Sequence, residues 1–184
     1  MSLPPPDALN NATCREPTTY VESVDDHLLN GEWFVVQGFN PLYDCFECQE
    51  LTFFVNDGKL DYEALFNMIA ANGTEIWVTA DMTGDDTTTP GILQMDGVEN
   101  GLPDHQNWYV MHLSEDTMVA YYCGSVISWH FEGLLVMSKT KELNPDRMAD
   151  ITAILVDLDI SQDDMCVLDP KQNCDASPAQ LFTQ

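Results

Sequence analysis

Short runs of β-branched and aromatic residues, separated by clusters of turn-forming residues, fill most of the chain after residue 28. Eight such runs occur, at 33–39, 49–55, 60–69, 76–82, 91–95, 108–113, 118–123 and 134–138. The clusters between them include Asn56-Asp57-Gly58, Asn72-Gly73, Thr83-Gly84-Asp85, Asp96-Gly97 and Ser114-Glu115-Asp116, whose residues favour turns. Runs of this length and spacing are typical of sandwiches and barrels, and eight strands can close a barrel. The pattern predicts an all-β, eight-stranded antiparallel barrel.

The periodicity changes after the last predicted strand. Asn144-Pro145-Asp146 supplies an N-cap residue, a proline at the first helical position and an acid in the first turn. Apolar residues then recur with helical spacing at Met148, Ile151, Ile154, Leu155 and Leu158. We therefore expect one C-terminal α-helix that starts near Pro145 and packs on the outside of the barrel.

These changes of pattern divide the chain into three regions. Residues 1–28 are rich in proline and asparagine and show little periodicity, which predicts an extended N-terminal arm. Residues 29–160 hold the barrel and its helix, and residues 161–184 form an acidic C-terminal tail. A chain of 184 residues with 45% hydrophobic content is large enough for a single domain with its own core.

The charge of the chain restricts its partners. It carries 31 acidic and 6 basic residues, a net charge of -25, so phosphate backbones repel it and we expect no nucleic-acid binding. No apolar run approaches the roughly 20 residues that span a bilayer, so we expect no transmembrane segment, while peripheral membrane association stays open. The first six residues do not resemble a signal or transit peptide, and we expect any targeting segment to lie outside this sequence.

The six cysteines indicate an oxidising compartment. Cys14, Cys45, Cys48, Cys123, Cys166 and Cys174 permit three disulfides, and composition alone leaves fifteen connectivities open. The Cys45-x-x-Cys48 spacing lacks the βαβ context of a redox motif. It also lacks a second close Cys or His pair that would complete a zinc site. We therefore expect structural disulfides and no bound metal.

One segment carries a family resemblance. Gly31-x-Trp33 is similar to the start of a lipocalin's first strand, in which the tryptophan plugs one end of the barrel. The Asn40-Pro41 turn, followed by Tyr-Asp-Cys-Phe-Glu-Cys-Gln up to Gln49, resembles the lipocalin domain of violaxanthin de-epoxidases. Weaker matches are Gln106-Asn107-Trp108-Tyr109, Tyr121-Tyr122-Cys123-Gly124 and the turn around Trp129. The resemblance implies a lipocalin barrel located in the chloroplast thylakoid lumen.

The resemblance also implies a binding pocket and a disulfide that holds the C-terminal tail. The family's ligand is a xanthophyll, and the positions that match its pocket are Gln49, Asn107, Trp108, Tyr121, Tyr122 and Trp129. Strand alternation places every second residue of 108–113 and 119–123 inside the barrel, but it leaves open which ones. A family disulfide implies that Cys48 pairs with Cys166 or Cys174 and so tethers the C-terminal tail.

The chain departs from the family at the positions that the family uses for de-epoxidation. De-epoxidation needs a proton donor beside the epoxide, and ascorbate is the family's reductant. The family acid before the tryptophan is replaced here by Asn107, preceded by Gln106. Asp44 and Glu47 remain as candidate catalytic acids. The histidines that follow Cys-Gln in the family are absent, and Cys14 alone is too little for the family's Cys-rich N-terminal domain.

Three functions remain open from the sequence. The first is a non-catalytic accessory or structural subunit, docked on a photosystem or light-harvesting complex through its acidic surface, that holds or shields a xanthophyll. The second is an active, ascorbate-dependent xanthophyll de-epoxidase that uses Asp44 or Glu47 as the acid. The third is a secreted transport lipocalin, consistent with glycosylation motifs at Asn11 and Asn72. The departures from the family favour the first.

Overall fold

The protein is a closed antiparallel barrel in its computed structural model, which describes residues 14–56, 59–69, 73–99, 102–126 and 129–169. The strands are β1 (Gly31–Gly38), β2 (Glu47–Asn56), β3 (Lys59–Ile69), β4 (Glu75–Thr89), β5 (Ile92–Glu99), β6 (Leu102–Leu113), β7 (Thr117–Val126) and β8 (Trp129–Ser138). Each strand pairs with the next, and β1 pairs with both β2 and β8. The predicted eight-stranded barrel is confirmed. A further short strand, β9 (Cys166–Val167), pairs with the end of β1.

The closed end of the barrel is built around Trp33. A short helix, α1 (Asp26–Leu29), precedes β1 and is capped by the side chain of Asp25. The fully buried Trp33 indole donates a hydrogen bond of 2.7 Å from Nε1 to the carbonyl of Leu29. On its other side the ammonium of Lys139 lies 4.1 Å from the ring centroid, a favourable cation–π geometry. These contacts close the barrel at one end, so access to the interior is from the other.

The C-terminal helix packs on the outer face of the barrel, as predicted. The Asn144 side chain accepts a hydrogen bond from the backbone N–H of Asp146. A 3₁₀ turn (Pro145–Arg147) then leads into α2 (Met148–Asp157). The apolar face of α2 is buried through Ile151 and Leu155, which belong to a cluster with Val119, Tyr121 and Val136 of the barrel wall.

Two predicted turns are wrong, because their glycines serve side-chain packing inside strands. Gly84 pairs with Leu60 and Met95, and Gly97 pairs with Met82. A Cβ on Gly84 would overlap the sulfur of Met95, and one on Gly97 would overlap the sulfur of Met82. Glycine inside a strand often marks such a close approach. Strands β4 and β5 are therefore longer than the sequence pattern predicted.

The N-terminal arm, as far as it is described, is strapped to the outside of the barrel. Cys14 forms a disulfide with Cys123 of β7. The backbone N–H of Arg15 donates a hydrogen bond of 2.7 Å to the Tyr121 hydroxyl, and the guanidinium pairs with the Glu132 carboxylate. Further along, the N–H of Val21 donates to the carbonyl of Val110 at 2.9 Å. The arm therefore covers the outer face beside α2.

A second disulfide fixes the C-terminal segment and corrects the predicted connectivity. Cys166 of β9 bonds to Cys45, so the predicted alternative of Cys48 with Cys166 is wrong. Both Cys45 and Cys48 follow β1, and sequence spacing did not distinguish them as partners. Cys48 is itself disulfide-bonded. Cys174, the other predicted partner of Cys48, lies outside the described residues.

Candidate functional site

The alternation of side chains along β6 and β7 decides which of their residues face the interior of the barrel. In β6 the side chains of Asp104, Gln106, Trp108 and Val110 are buried, whereas His105 and Asn107 are exposed. In β7 Tyr122 belongs to the cluster that fills the barrel, whereas Tyr121 belongs to the outer cluster beneath α2. Because strand side chains alternate between faces, these assignments decide which predicted ligand residues can reach the interior.

A narrow cavity of about 50 Å³ runs into the open end of the barrel. Its walls are mainly aromatic and aliphatic, with two amides among them. It is lined by Tyr43, Gln49, Leu51, Tyr62, Ala64, Phe66, Ala80, Gln106, Trp108, Tyr122, Phe131 and Leu135. Of the predicted ligand residues, Gln49, Trp108 and Tyr122 therefore line it.

The other predicted ligand residues lie elsewhere. Asn107 is exposed on the outer face of β6, because it alternates with the inward-facing Trp108. Tyr121 is directed outward for the same reason, and its hydroxyl donates a 2.7 Å hydrogen bond to Glu132. Neither side chain can contact a ligand inside the barrel. Trp129 begins β8, but its side chain lies outside the described part of the structure.

Aromatic rings contact one another across the interior. The Trp108 ring lies 5.6 Å from Tyr122 at 23° and 5.4 Å from Tyr62. At the open end the ring of Tyr43, from the loop after β1, stacks on Phe131 with centroids 4.6 Å apart. Offset stacking at such distances adds about 0.5–1.5 kcal/mol per pair beyond burial. The aromatic filling therefore explains why the cavity is small.

A chain of polar side chains runs along the inner face of β6. The indole Nε1 of Trp108 donates a 2.6 Å hydrogen bond to Oε1 of Gln106, and Nε2 of Gln106 donates to the carboxylate of Asp104. Asp104 is fully buried. Sequence reasoning missed Asp104 and Gln106 as site residues. Period-2 alternation counted back from an inward Trp108 would have found both.

Gln49 contributes a second amide to the cavity wall. Its side chain is 7% exposed, and Nε2 donates a 3.2 Å hydrogen bond to the carbonyl of Tyr43. Its Oε1 is buried without a hydrogen-bond partner in the described residues. A buried acceptor left unsatisfied costs about 1–3 kcal/mol, so Oε1 is available to a ligand group that donates a hydrogen bond.

The candidate acid Asp44 is fully buried behind the cavity wall. Its carboxylate accepts hydrogen bonds from the backbone N–H groups of Asn40 (2.8 Å) and Leu134 (3.0 Å). It also accepts one from the hydroxyl of Tyr122. Burial raises the pKa of Asp44 to about 7, while these hydrogen bonds partly oppose the shift. Asp44 touches the cavity only through Tyr122, because its own side chain is not among the lining residues.

The second candidate acid, Glu47, is in a different environment. It is exposed at the start of β2 and does not line the cavity. Among the two predicted acids, only Asp44 is therefore close to the barrel interior.

Clusters of three or more metal-ligating side chains and membrane-spanning helices are absent from the described residues. No group of three or more His, Cys, Asp and Glu side chains within them is arranged to hold a metal ion. None of the described helices is long and apolar enough to cross a membrane.

Known structures support the barrel assignment. Lobster apocrustacyanin A1 superimposes with a TM-score of 0.58 at 12% identity, covering 83% of this chain and 91% of that one. Insecticyanin from the tobacco hornworm Manduca sexta superimposes with a TM-score of 0.57 at 15% identity, covering 84% and 85%. At such identities the likeness establishes the lipocalin fold and nothing more.

Sequence comparisons, and above all a family model, identify the family. Violaxanthin de-epoxidase of spinach chloroplasts (Spinacia oleracea) is 29% identical over 121 residues, which is 62% of this chain and 25% of that protein. The tobacco enzyme (Nicotiana tabacum) is 26% identical over 137 residues, 71% of this chain and 28% of that protein. The matched region thus spans about a quarter of these relatives. The family model of the VDE lipocalin domain matches residues 6–170, and the chain therefore belongs to the violaxanthin de-epoxidase lipocalin-domain family.

Proposed function

We propose that this chain is a non-catalytic, violaxanthin de-epoxidase-like lipocalin. The observation that carries the proposal is the chemistry of the cavity wall. Its described lining consists of apolar, aromatic and amide side chains and includes no carboxyl or imidazole group. The amide of Gln106 cannot donate a proton to a ring-opening epoxide, a step that requires a general acid within hydrogen-bond reach.

The proposed ligand is one ring end of a xanthophyll. An apolar, aromatic wall suits the hydrocarbon part of such a ring, and Oε1 of Gln49 provides an acceptor for its hydroxyl group. The cavity of about 50 Å³ is smaller than the roughly 300–1,000 Å³ typical of ligand sites. Entry of a ring therefore requires Tyr43 and Phe131 to move apart at the open end. Binding is correspondingly weakened, because the open form is a minor state.

We further propose that the protein acts in the thylakoid lumen as an accessory subunit. The chloroplast location of its curated relatives supports the compartment, and the disulfides agree with an oxidising environment. A net charge of -25 favours association with a basic face of a photosystem or light-harvesting complex and speeds the encounter at low salt. Membership of this family makes the secreted transport lipocalin the weaker hypothesis.

A second candidate is an active, ascorbate-dependent de-epoxidase, and one observation favours it. Asp44 has a pKa of about 7 and is hydrogen-bonded to the Tyr122 hydroxyl, while Tyr122 lines the cavity. A proton could pass from Asp44 through this hydroxyl to a bound epoxide. We rank this candidate second because the Asp44 carboxylate already accepts hydrogen bonds from backbone groups and has a structural role.

An activity assay separates the two candidates. The purified chain is incubated with violaxanthin in lipid, with ascorbate, at acidic pH, beside Asp44→Asn, Gln106→Glu and Asn107→Asp variants. The proposal expects background turnover by the wild type and by Asn107→Asp, whose acid faces outward. Gln106→Glu places an acid on the cavity wall and is the variant in which activity would appear. Wild-type turnover that Asp44→Asn abolishes would overturn the non-catalytic proposal in favour of the second candidate.

A further inference from the structure

Four side chains that are far apart in sequence form one row on the outer face of the barrel. Strand register pairs Asp96 with His105, His105 with Ser125, and Ser125 with His130. Asp96, His105 and His130 are all exposed, whereas the neighbouring Met95, Gln106 and Phe131 are buried. Two of the four histidines of the chain thus flank a serine on adjacent strands.

The hydrogen bond between Asp96 and His105 orients the first imidazole. Nδ1 of His105 contacts Oδ1 of Asp96. An ionised carboxylate can only accept a hydrogen bond, so Nδ1 is the donor and Nε2 is the nitrogen that a ligand can reach. A carboxylate that holds the distal nitrogen of a histidine is a common feature of metal sites, where it fixes the tautomer and raises the basicity of the ligand.

The second imidazole lies on the same face, one strand beyond Ser125. His105 and His130 stand two strands apart, a separation of about 10 Å, and a metal ion sits about 2 Å beyond each ligating nitrogen. Binding of one ion by both residues requires the two rings to lean toward each other over Ser125. A surface groove of about 330 Å³ lined by His105, Ser125 and His130, with Asn107 and Gln94 beside them, gives the ion and its waters room.

We propose that His105 and His130 form a surface site for a borderline divalent transition-metal ion such as Zn²⁺ or Cu²⁺. Two imidazole nitrogens bind the ion, Asp96 orients His105, and water completes the coordination shell. Thiolate ligation does not contribute, since Cys123 in the groove is disulfide-bonded. The strong negative charge of the protein raises the local cation concentration, and the imidazole pair selects ions that prefer nitrogen ligands. This site is independent of the proposed interior ligand.

The site is tested by Zn²⁺ titration of the untagged full chain at pH 7.5, in competition with a chromophoric chelator. His105→Gln and His130→Gln each remove one ligand, and His27→Gln removes an exposed histidine of α1 as a matched control. We expect one Zn²⁺ per chain, a loss of at least tenfold in affinity in each groove variant, and no change in the control. Asp96→Asn should weaken binding by about 10- to 100-fold.

Two further measurements decide between this site and general attraction to the acidic surface. Mg²⁺ should not compete, because the hard ion prefers oxygen ligands. Long-range ¹H–¹⁵N spectra should show Zn²⁺-induced shifts at the imidazoles of both His105 and His130. Equal Zn²⁺ affinity in the wild type and both groove variants, effective competition by Mg²⁺, or shifts confined to one of the two histidines would each overturn the proposal.

Discussion

The hydroxyl of Tyr122 donates a hydrogen bond to the carboxylate of Asp44, although the two residues are 78 positions apart in the chain. The same carboxylate accepts hydrogen bonds from the backbone of Asn40 and of Leu134. Asp44 therefore ties the loop after β1 to β7 and β8. The ring of Tyr122 lines the cavity, so one buried acid fixes both the loop at the open end and part of the cavity wall.

The raised pKa of Asp44 makes the free energy of unfolding depend on pH. The folded protein holds the proton up to a pKa of about 7, whereas the unfolded chain releases it near the ordinary value of 3.8. The stabilising contribution is therefore complete below about pH 4 and is lost as the pH rises to about 7. At about 1.4 kcal/mol per pKa unit, we expect Asp44 to account for a loss of about 4 kcal/mol over this range in urea titrations of the wild type.

The Asp44→Asn variant isolates this contribution from general charge repulsion. The variant keeps the other acids, so any pH dependence of the free energy of unfolding that remains in it arises from them. As a matched control, Glu47→Gln changes an exposed acid and leaves Asp44 in place, so we expect it to retain the wild-type slope. An identical pH dependence for the wild type and Asp44→Asn would contradict a pKa near 7.

The Gly133→Ala variant should disturb the same contact from the opposite strand. A Cβ at Gly133 would overlap the ring and hydroxyl of Tyr122 and an oxygen of Asp44. Overpacking of this kind costs about 1–3 kcal/mol, and we expect thermal unfolding at a lower temperature. His130→Ala, an outward substitution in the same strand, should change the melting temperature little. Equal melting temperatures for the two variants would show that Tyr122 moves aside without cost.

The barrel was predictable from the sequence, whereas the details of its interior were not. Runs of strand-forming residues and the Asn144-Pro145-Asp146 signal reflect local conformational preference, so the sequence alone reveals them. Gly84 and Gly97 were misassigned as turns because their partners, Met95 and Met82, are brought to them by strand pairing. Asn107 was chosen for its position beside Trp108, but the face of a strand is set by tertiary register.

For the disulfides, too, the sequence predicts that cross-links exist but not which cysteines pair. Six cysteines indicated cross-links, but the Cys45–Cys166 and Cys14–Cys123 bonds depend on which strands the fold places together. The family resemblance implied that Cys48 pairs with Cys166 or Cys174, whereas the neighbouring Cys45 is the partner of Cys166. The pairing is determined by which cysteines the folded barrel brings into contact.

The strap formed by the N-terminal arm should contribute strongly to stability. The Cys14–Cys123 bond closes a loop with a sequence separation of 109, and the chain-entropy model gives about 4–5 kcal/mol for a loop of that size. We expect Cys14→Ser with Cys123→Ser to lower the free energy of unfolding by several kcal/mol while the barrel stays folded. Non-reducing peptide maps should show Cys14–Cys123 and Cys45–Cys166 in the wild type, and we still predict Cys48 with Cys174. Wild-type stability in the double variant would show that the arm's hydrogen bonds suffice.

The last prediction concerns the ring-binding proposal and uses Phe131, which stacks on Tyr43 at the open end. Phe131→Ala removes this stack and enlarges the cavity, at a cost of about 3–5 kcal/mol in stability. Because less rearrangement is then needed for entry, we expect the variant to bind 3-hydroxy-β-ionone more tightly than the wild type does. The readout is quenching of tryptophan fluorescence, since Trp108 lines the cavity.

The role of Gln49 is tested in the same background with a matched pair of ligands. Its unpaired Oε1 should favour the hydroxylated ring over plain β-ionone, because a hydrogen bond to a buried acceptor contributes about 0.5–1.5 kcal/mol. We expect a preference of several-fold in Phe131→Ala that disappears when Gln49→Leu is added. Equal affinity for both rings with Gln49 intact would show that the ligand hydroxyl does not contact Gln49. Failure of both rings to bind, even with the stack removed, would show that the barrel interior is a packed core and that the protein acts through its surface.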